Sequence, residues 1–131
     1  MTLLFDHSPD LEKLWSLFPE SPYFSPEALW YKIGGESTKS GIIVASIWGT
    51  IAGVLSWEND GRLKIWQVEV SPEYRGLRIS SSLIQEAERV NLWRAHEAIG
   101  YLNGRRNESS AKMFQRAGYT RKDEQKFYKV L

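Results

Sequence analysis

Residues 65–87 constrain the fold of this chain more than any other segment. Residues 65–70 are rich in apolar and β-branched side chains, which is typical of a β-strand. A short turn with Pro72 and Gly76 follows, and small residues then open a segment with helical apolar spacing. The first N–H groups of a helix lack intrahelical partners and carry partial positive charge. This strand, turn and helix therefore predict a binding site for an anion such as a phosphate.

The chain has 131 residues and no cysteine. This length predicts one domain over residues 1–131, large enough to bury a core without disulfides or thiolate metal sites. No apolar run approaches the ~20 residues that a membrane-spanning helix requires. Residues 1–6 also lack the basic and apolar parts of a signal peptide. We therefore expect a cytoplasmic protein with no membrane partner.

Charge is distributed unevenly along the chain. Residues 1–70 carry 5 Lys and Arg against 9 Asp and Glu, whereas residues 71–131 carry 12 against 7. The net charges of the two halves are therefore −4 and +5. The positive half predicts contact with an anion, either a phosphate-bearing cofactor or a nucleic acid, although solvated surface would give the same sum.

The periodicity of the sequence predicts an α+β fold. A short apolar strand at 2–5 is followed by two helices that open at Ser8-Pro9 and Ser25-Pro26. Strand patterns cover 41–48, 51–57 and 63–70, with a tight turn at Gly49 and Thr50. A helix to about residue 94, a strand at 98–102, a helix at 108–117 and a strand at 127–131 complete the chain. We expect a mostly antiparallel central sheet flanked by about four helices.

Two separated segments resemble the GNAT superfamily of N-acetyltransferases. Residues 70–81, Val-Ser-Pro-Glu-Tyr-Arg-Gly-Leu-Arg-Ile-Ser-Ser, look like the loop that binds the pyrophosphate of acyl-CoA in that family. Residues 107–119 are similar to its late helix, which an asparagine opens and a glycine with an aromatic residue closes. The resemblance implies a GNAT-like fold over most of the chain, acetyl-CoA or another acyl-CoA as cofactor, and an amine as acceptor.

The resemblance also implies where the cofactor lies. Its pantetheine arm would pair with backbone groups near Val68 to Val70, where this strand separates from the next one. Backbone donors at residues 77–81 would bind the pyrophosphate. The implied cofactor-binding residues are Val68, Val70, Arg75, Gly76, Leu77, Arg78, Ile79, Ser80, Ser81, Asn107, Ser110 and Phe114.

Three residues depart from the family pattern. Arg78 and Ser80 stand where the loop has glycine and glycine or alanine, and Phe114 stands where many members have a proton-donating tyrosine. The Arg78 side chain obstructs the pyrophosphate, contacts a phosphate or faces solvent, and these alternatives stay open. Phe114 has no proton to donate to a leaving thiolate. Tyr101 and Tyr119 are the candidates to replace it.

The general base is the least defined part of the expected site. Family members carry an acid or histidine at positions that here are Lys64 and Trp66, and neither of these is an ordinary base. Glu69 is the nearest carboxylate. Counting by two from Lys64 places it on the opposite face of the strand, unless a bulge changes the alternation. Glu58 and Glu36 are weaker candidates, and water leading to the backbone is another acceptor for the proton.

Tryptophan side chains are candidates for acceptor binding. Trp30, Lys64 and Trp66 are the predicted substrate-binding residues. Trp48, Trp57 and Trp66 occupy similar places along three successive strands. This spacing predicts either an aromatic wall facing a cationic or ring-bearing acceptor or a cluster in the core.

Two functions fit the sequence. The first is an acetyl-CoA-dependent N-acetyltransferase in which an amine of a small molecule, peptide or protein attacks directly. The second is a GNAT fold with lost or altered catalysis that acts as a binding or regulatory module, on nucleic acid through Arg75, Arg78, Arg105, Arg106 and Arg116. We favour the enzyme, because a phosphate-rich cofactor explains the basic half and no aromatic residues alternate with the arginines for base stacking. No histidine spacing indicates a metal, and a homodimer is left open.

Overall fold

The computed structural model describes residues 2–7, 10, 40–76, 78–102 and 108–131, with only the backbone of Glu108 and Ser109. Both predicted N-terminal helices lie outside the described residues. So do six candidate site residues singled out from the sequence, namely Trp30, Glu36, Leu77, Arg105, Arg106 and Asn107.

Seven strands and two α-helices make up the described part of the chain. The strands are β1 (Leu3–Asp6), β2 (Ser40–Ile47), β3 (Thr50–Asn59), β4 (Leu63–Val70), β5 (Glu97–Tyr101), β6 (Thr120–Arg121) and β7 (Lys126–Val130). A 3-10 turn (Pro72–Tyr74) follows β4, and the helices are α1 (Ile79–Asn91) and α2 (Glu108–Arg116). The predicted strand and helix positions after residue 40 are confirmed to within a few residues. The structure describes two α-helices, whereas about four were predicted. The difference arises because the other two predicted helices fall outside the described residues.

The strands form one sheet in the order β1-β2-β3-β4-β5-β7-β6. Every neighbouring pair is antiparallel except β4 and β5, which are parallel. The predicted α+β fold with a mostly antiparallel sheet is therefore confirmed. Apolar residues of β2 to β5 and β7 form one core with α1 and α2, and its fully buried side chains include Leu55, Leu63, Ile65, Leu83 and Phe127.

β4 contains a bulge at Trp66. Across β3 and β4, Trp57 lies opposite Ile65 and Ser56 lies opposite Gln67. Two consecutive residues of β3 therefore face residues of β4 that are two apart, and Trp66 has no partner on β3. A bulge of this kind reverses the alternation of side chains along the strand that carries the extra residue.

The bulge decides which face of the sheet Glu69 occupies. Glu69 lies opposite Val54, and Lys64 lies opposite Glu58. Val54 and Glu58 are four apart on β3 with no extra residue between them, so they share a face. Glu69 and Lys64 therefore also share that face. The simple count by two placed Glu69 on the other face, and it was wrong because the bulge intervenes.

The three tryptophans form neither an aromatic wall nor a core cluster. Trp48 is 87% exposed in the β2–β3 turn, which Trp48 and Gly49 form with φ values of 54° and 79°, one residue earlier than predicted. Trp57 packs against the core. Trp66 donates a hydrogen bond from Nε1 to Oε2 of Glu58 at 3.0 Å. Since Glu58 directly follows Trp57 on β3, the two rings lie on opposite faces of the sheet.

Candidate active site

A cavity opens where β4 and β5 separate. The two strands pair only from Leu63, opposite Ala98, to Ile65, opposite Gly100. Beyond that point β4 continues for five residues and pairs only with β3 in the described part of the sheet. The cavity has a volume of about 330 Å³ and runs along this free edge of β4 to the start of α1. Backbone groups of β4 are therefore available to a ligand in the cavity, because a strand edge without a neighbour leaves part of its N–H and C=O groups unpaired.

The predicted cofactor-binding residues meet at this cavity. All ten that the structure describes line it, and they come from three elements: Val68 and Val70 from β4; Arg75, Gly76, Arg78, Ile79, Ser80 and Ser81 from the turn and α1; Ser110 and Phe114 from α2. This placement brings the residues together, while their binding roles stay predictions.

The first turn of α1 presents unpaired N–H groups to the cavity. The first helical hydrogen bond runs from the N–H of Ser82 to the carbonyl oxygen of Arg78, at 3.1 Å. The N–H groups of Ile79, Ser80 and Ser81 precede it and have no partners within the helix. All three residues line the cavity. Because Ser80 and Ser81 have small side chains, an anion can approach these donors.

Arg78 adopts the backbone conformation that usually belongs to glycine. Its φ and ψ are 59° and 27°, the left-handed helical region. For a residue with a Cβ this conformation costs about 1–2 kcal/mol. The turn before α1 therefore keeps the shape that glycine would give it, although the side chain is that of arginine. The Arg78 side chain is exposed and lines the cavity.

Three guanidinium groups line the cavity. Arg75 and Arg78 belong to the turn before α1, and Arg116 is the last residue of α2. None of the three makes an ion pair with another described residue. Glu69 is the only acidic residue among those that line the cavity. The described walls therefore carry a net positive charge, which favours an anionic ligand.

The α2 wall of the cavity is built on Phe114. Its side chain is 1% exposed, and its ring centroid lies 5.5 Å from that of Phe127 and 5.4 Å from that of Tyr119. A phenylalanine ring has no proton to donate, so Phe114 serves as an apolar wall that belongs to the core.

Tyr119 is excluded as a replacement proton donor. It is 4% exposed, does not line the cavity, and donates its hydroxyl hydrogen to Oε2 of Glu88 at 2.8 Å. Burial, together with the negative charge of Glu88, raises the pKa of Tyr119 far above its ordinary value. Lys129 Nζ also donates to Glu88, at 3.0 Å. These contacts give Tyr119 a structural role between α1 and β7.

Trp66 and Tyr101 stack at the point where β4 and β5 part. Their ring centroids are 4.3 Å apart, and the ring planes differ by 14°. Both residues line the cavity. The Tyr101 phenol is thus placed at the closed end of the cavity, where the separated strands meet. Tyr74, which sequence reasoning did not select, is the other described tyrosine on the cavity wall.

Glu69 is held by its neighbour on the same face. The side-chain amide of Gln67 donates a hydrogen bond to Oε1 of Glu69, and both residues line the cavity. Lys64 does not line the cavity. Its ammonium group forms a 2.7 Å ion pair with Asp60, and the hydrogen bond to Asp60 raises the pKa of Lys64. Lys64 is therefore held in its charged form, which cannot act as a base.

The sequence model of the Acetyltransferase (GNAT) family matches residues 8–119. This chain belongs to the GNAT acetyltransferase family. The match covers the turn before α1, the separated strands and α2, which together line the cavity. A search of curated protein sequences found no match.

Solved structures of GNAT proteins share the fold at low sequence identity. The PaiA N-acetyltransferase from Thermoplasma acidophilum, in complex with coenzyme A, matches with a TM-score of 0.78, 16% identity and 100% coverage of both chains. Naa50 from Arabidopsis thaliana, in complex with the bisubstrate analogue CoA-Ac-MVNAL, matches with a TM-score of 0.77, 16% identity and 100% coverage of both chains. Ard1 from Thermoplasma volcanium matches with a TM-score of 0.74 and 10% identity, and the match covers 100% of this chain and 99% of the other.

Sequence reasoning missed five residues that line the cavity of this GNAT chain, namely Gln67, Tyr74, Leu102, Met113 and Arg116. Helical spacing could have identified Met113, which lies three residues after Ser110. Gln67 could not be found by counting, because the bulge precedes it. Arg116 was noted only as a contact for nucleic acid.

The described part of the GNAT chain was compared with two other kinds of feature, a membrane-spanning helix and a metal site. Neither described helix could span a bilayer, since α1, the longer of the two, has 13 residues. Within the same residues, no three histidine, aspartate or glutamate side chains are placed to hold a metal ion.

Proposed function

We propose that this chain is an acyl-CoA-dependent N-acetyltransferase that transfers an acetyl group from acetyl-CoA to an amine of a small molecule or peptide. The observation that carries the proposal is the single cavity that joins the free edge of β4 to the first turn of α1. A ligand with an amide-containing arm and a diphosphate fits both ends of it. The family membership supports the same assignment.

The described residues would bind two parts of this cofactor, the diphosphate and the pantetheine arm. The N–H groups of Ile79, Ser80 and Ser81, with the guanidinium groups of Arg75 and Arg78, would hold the diphosphate. Backbone groups of β4 at Val68 and Val70 would pair with the amides of the pantetheine arm, in the manner of an added strand. Acetyl-CoA would supply an acetyl group activated as a thioester.

We assign the two proton transfers to residues of the cavity wall. We assign Glu69 as the base that accepts a proton from the acceptor ammonium group, because it is the only described carboxylate on the cavity wall. Its hydrogen bond from Gln67 keeps the carboxylate oriented. The neutral amine would then form the new C–N bond as the C–S bond breaks. Tyr101 would donate a proton to the leaving sulfur, and the proton that the new amide nitrogen loses would restore the tyrosine through solvent.

Two solved neighbours support the donor and the acceptor classes. PaiA is an N-acetyltransferase that holds coenzyme A, and Naa50 holds an analogue that links CoA to a peptide. By analogy, the donor of this chain is acetyl-CoA and its acceptor is an amine. A small-molecule amine and a peptide amine both remain within the proposal.

A nucleic-acid-binding module is the less favoured function. Arg75, Arg78 and Arg116 converge on a concave cavity of about 330 Å³. A duplex or single strand would need cationic groups along an extended surface, with stacking rings between them. Arg105 and Arg106 lie outside the described residues.

A thermal-shift experiment on the whole chain tests the proposal. Acetyl-CoA, CoA and a single-stranded oligonucleotide are compared at equal concentrations. Ligand at about 100 times its dissociation constant stabilises the folded chain by about 2.7 kcal/mol, so a clear rise in Tm with acetyl-CoA and CoA is expected. A rise with the oligonucleotide alone would favour the binding module. No rise with either CoA species would overturn the proposed enzyme.

A further inference from the structure

Glu58 contacts the cavity wall from outside the cavity. It lies on β3, opposite Lys64 of β4, and does not line the cavity. Its Oε2 accepts a hydrogen bond from Nε1 of Trp66 at 3.0 Å, and Trp66 does line the cavity. A carboxylate outside the cavity is not placed to take a proton from an acceptor inside it. Glu58 therefore reaches the cavity through Trp66.

The Trp66 indole extends this contact to β5. Its ring centroid lies 4.3 Å from that of Tyr101, and the two ring planes differ by 14°. The last paired residues of β4 and β5 are Ile65 and Gly100, so the stacked rings belong to the first residue of each strand beyond the paired segment. Stacking of two aromatic rings is attractive and restricts the orientation of both. The position of the Tyr101 ring therefore depends on that of the indole.

The bulge in β4 makes the hydrogen bond to Glu58 important for the indole. Trp66 has no residue opposite it on β3. A bulged residue is left out of the pairing between strands, and the bulge changes the direction of its side chain. Side-chain contacts therefore have to fix the orientation of the indole. Glu58 supplies one of them, at an ordinary hydrogen-bond distance.

We propose that Glu58 is a positioning residue for acetyl transfer, because it holds the Trp66 indole and thereby fixes the Tyr101 ring in the cavity. This inference rests on the proposed function, in which the Tyr101 hydroxyl donates a proton to the leaving sulfur. A proton donor has to lie within hydrogen-bond reach of the atom that it protonates. Misplacement of a reacting group by about 1 Å can slow a reaction by about 10²-fold. Glu58 itself neither gains nor loses a proton.

A purely electrostatic role for Glu58 gives a different expectation. The hydrogen bond to Asp60 is the largest cause of the raised pKa of Lys64, and the negative charge of Glu58 adds to it. Such a charge acts on its surroundings whether or not the indole is held in place. Leucine and glutamine at position 58 would then have the same effect, because both remove the charge.

The test compares Glu58→Leu with Glu58→Gln in the whole chain. Leucine has no acceptor for the N–H of Trp66, whereas glutamine keeps an oxygen that accepts it. Release of CoA from acetyl-CoA is followed with three amines as acceptors, namely ethylenediamine, free lysine and trialanine. We expect kcat to fall about tenfold or more in Glu58→Leu and to stay within about twofold in Glu58→Gln. KM for acetyl-CoA should not change in either variant, and urea unfolding checks that both are folded.

A double-mutant cycle tests whether the loss acts through Tyr101. In Tyr101→Phe the phenol proton is absent, so the addition of Glu58→Leu should lower kcat no further. In Trp66→Phe a ring remains but its N–H is gone, so Glu58→Leu should add nothing there either. A general loss of structure would instead lower kcat by the same factor in every background.

Other outcomes overturn the inference. Equal losses of kcat in Glu58→Leu and Glu58→Gln would assign the effect to charge, and no loss in Glu58→Leu would leave the hydrogen bond without a role in the reaction. A full further loss in the Tyr101→Phe background would show that Glu58 acts elsewhere. If Tyr101→Phe itself keeps full kcat, this proton donor is wrong while the acetyltransferase stands. If acetyl-CoA binds but none of the three amines is acetylated, the proposed function fails, and this inference fails with it.

Discussion

The ring of Phe114 lies directly against the backbone of Gly100. A Cβ atom built on Gly100 would stand 2.2 Å from Cε1 of Phe114, closer than two carbon atoms can pack. Gly100 is the last residue of β5 that pairs with β4. The close approach of α2 to β5 therefore depends on glycine at the position where the cavity begins.

We expect Gly100→Ala to destabilise the chain by about 1–3 kcal/mol, because the added methyl group forces the Phe114 ring to move within a packed core. Urea unfolding followed by circular dichroism measures the change. Gly100→Ala combined with Phe114→Leu should lose less than the sum of the single effects. Additive losses would show that the ring does not limit the space at Gly100.

Replacement of Arg78 should separate stability from ligand binding. Glycine has no penalty in the left-handed region that Arg78 occupies, so Arg78→Gly should raise the free energy of unfolding by about 1 kcal/mol or less. The same change removes a guanidinium group from the cavity and should weaken CoA binding by about tenfold. Calorimetry and urea unfolding measure the two effects.

Arg75→Gly is the matched control for Arg78. Arg75 has φ of −65° and ψ of 145°, which an ordinary residue adopts without strain. This variant should weaken CoA binding without any gain in stability. Unchanged affinity in Arg78→Gly would show that its guanidinium faces solvent only.

The assignment of Glu69 as the base predicts slower acetyl transfer when its carboxylate is replaced. Glu69→Gln keeps an oxygen that accepts from Gln67 but cannot take a proton, so kcat should fall by about 10²-fold or more at neutral pH. The affinity for CoA should stay the same. Glu58→Gln is the control, because Glu58 shares the face but does not line the cavity. An equal loss of kcat in both variants would argue against Glu69 as the specific base.

Tyr119→Phe should change stability but not acetyl transfer. The variant removes the hydroxyl group that donates to Glu88, and Lys129 still compensates the carboxylate. We expect a loss of about 1–2 kcal/mol in the free energy of unfolding. The rate of acetyl transfer at saturating substrates, measured well below Tm, should match that of the unaltered chain. A slower reaction with stability intact would return Tyr119 to the list of proton donors.

Glu86 should make the chain less stable in acid. Hydrogen bonds from Arg89, at 2.6 and 2.9 Å, are the largest cause of a lowered pKa of Glu86, and the His7 ring at 2.8 Å adds to it. A carboxyl group with a lower pKa in the folded chain stabilises it above the unfolded value, which is 4.5. This contribution is lost as the pH falls through the folded value.

Urea unfolding between pH 7 and pH 3 tests the role of Glu86. The unaltered chain should lose stability below about pH 4.5 more steeply than Glu86→Gln, which has no proton to gain at this position. Equal slopes for the two proteins would assign the acid sensitivity to other carboxyl groups.

The arrangement of strands and helices after residue 40 could be predicted because it depends on local patterns. Segments rich in apolar and β-branched residues identify β2, β3 and β4, and the spacing of apolar residues in α1 and α2 identifies two amphipathic helices. The turn before α1 could be found from its small residues and glycine. These signals lie within a few residues of one another, so they do not require knowledge of the rest of the chain.

The face of Glu69 and the place of Arg116 on the cavity wall depend on contacts between distant segments. The bulge at Trp66 is a property of how β3 pairs with β4, which no count along β4 alone can reveal. Arg116 enters the cavity because α2 packs beside α1 and β5. The left-handed backbone conformation of Arg78 likewise follows from the turn that joins β4 to α1. An arginine in the sequence does not predict it.

Because β4 and β5 separate after Ile65, the sheet contains a gap between these two strands. A strand edge with unsatisfied backbone groups is a template on which another polypeptide can add, and proteins normally cover or pair such edges against aggregation. Here the gap between β4 and β5 is part of the cavity, and an extended ligand with amide groups would fill it as a further strand does. Resistance of this chain to self-association and to proteolysis would then rise and fall with the cellular supply of that ligand.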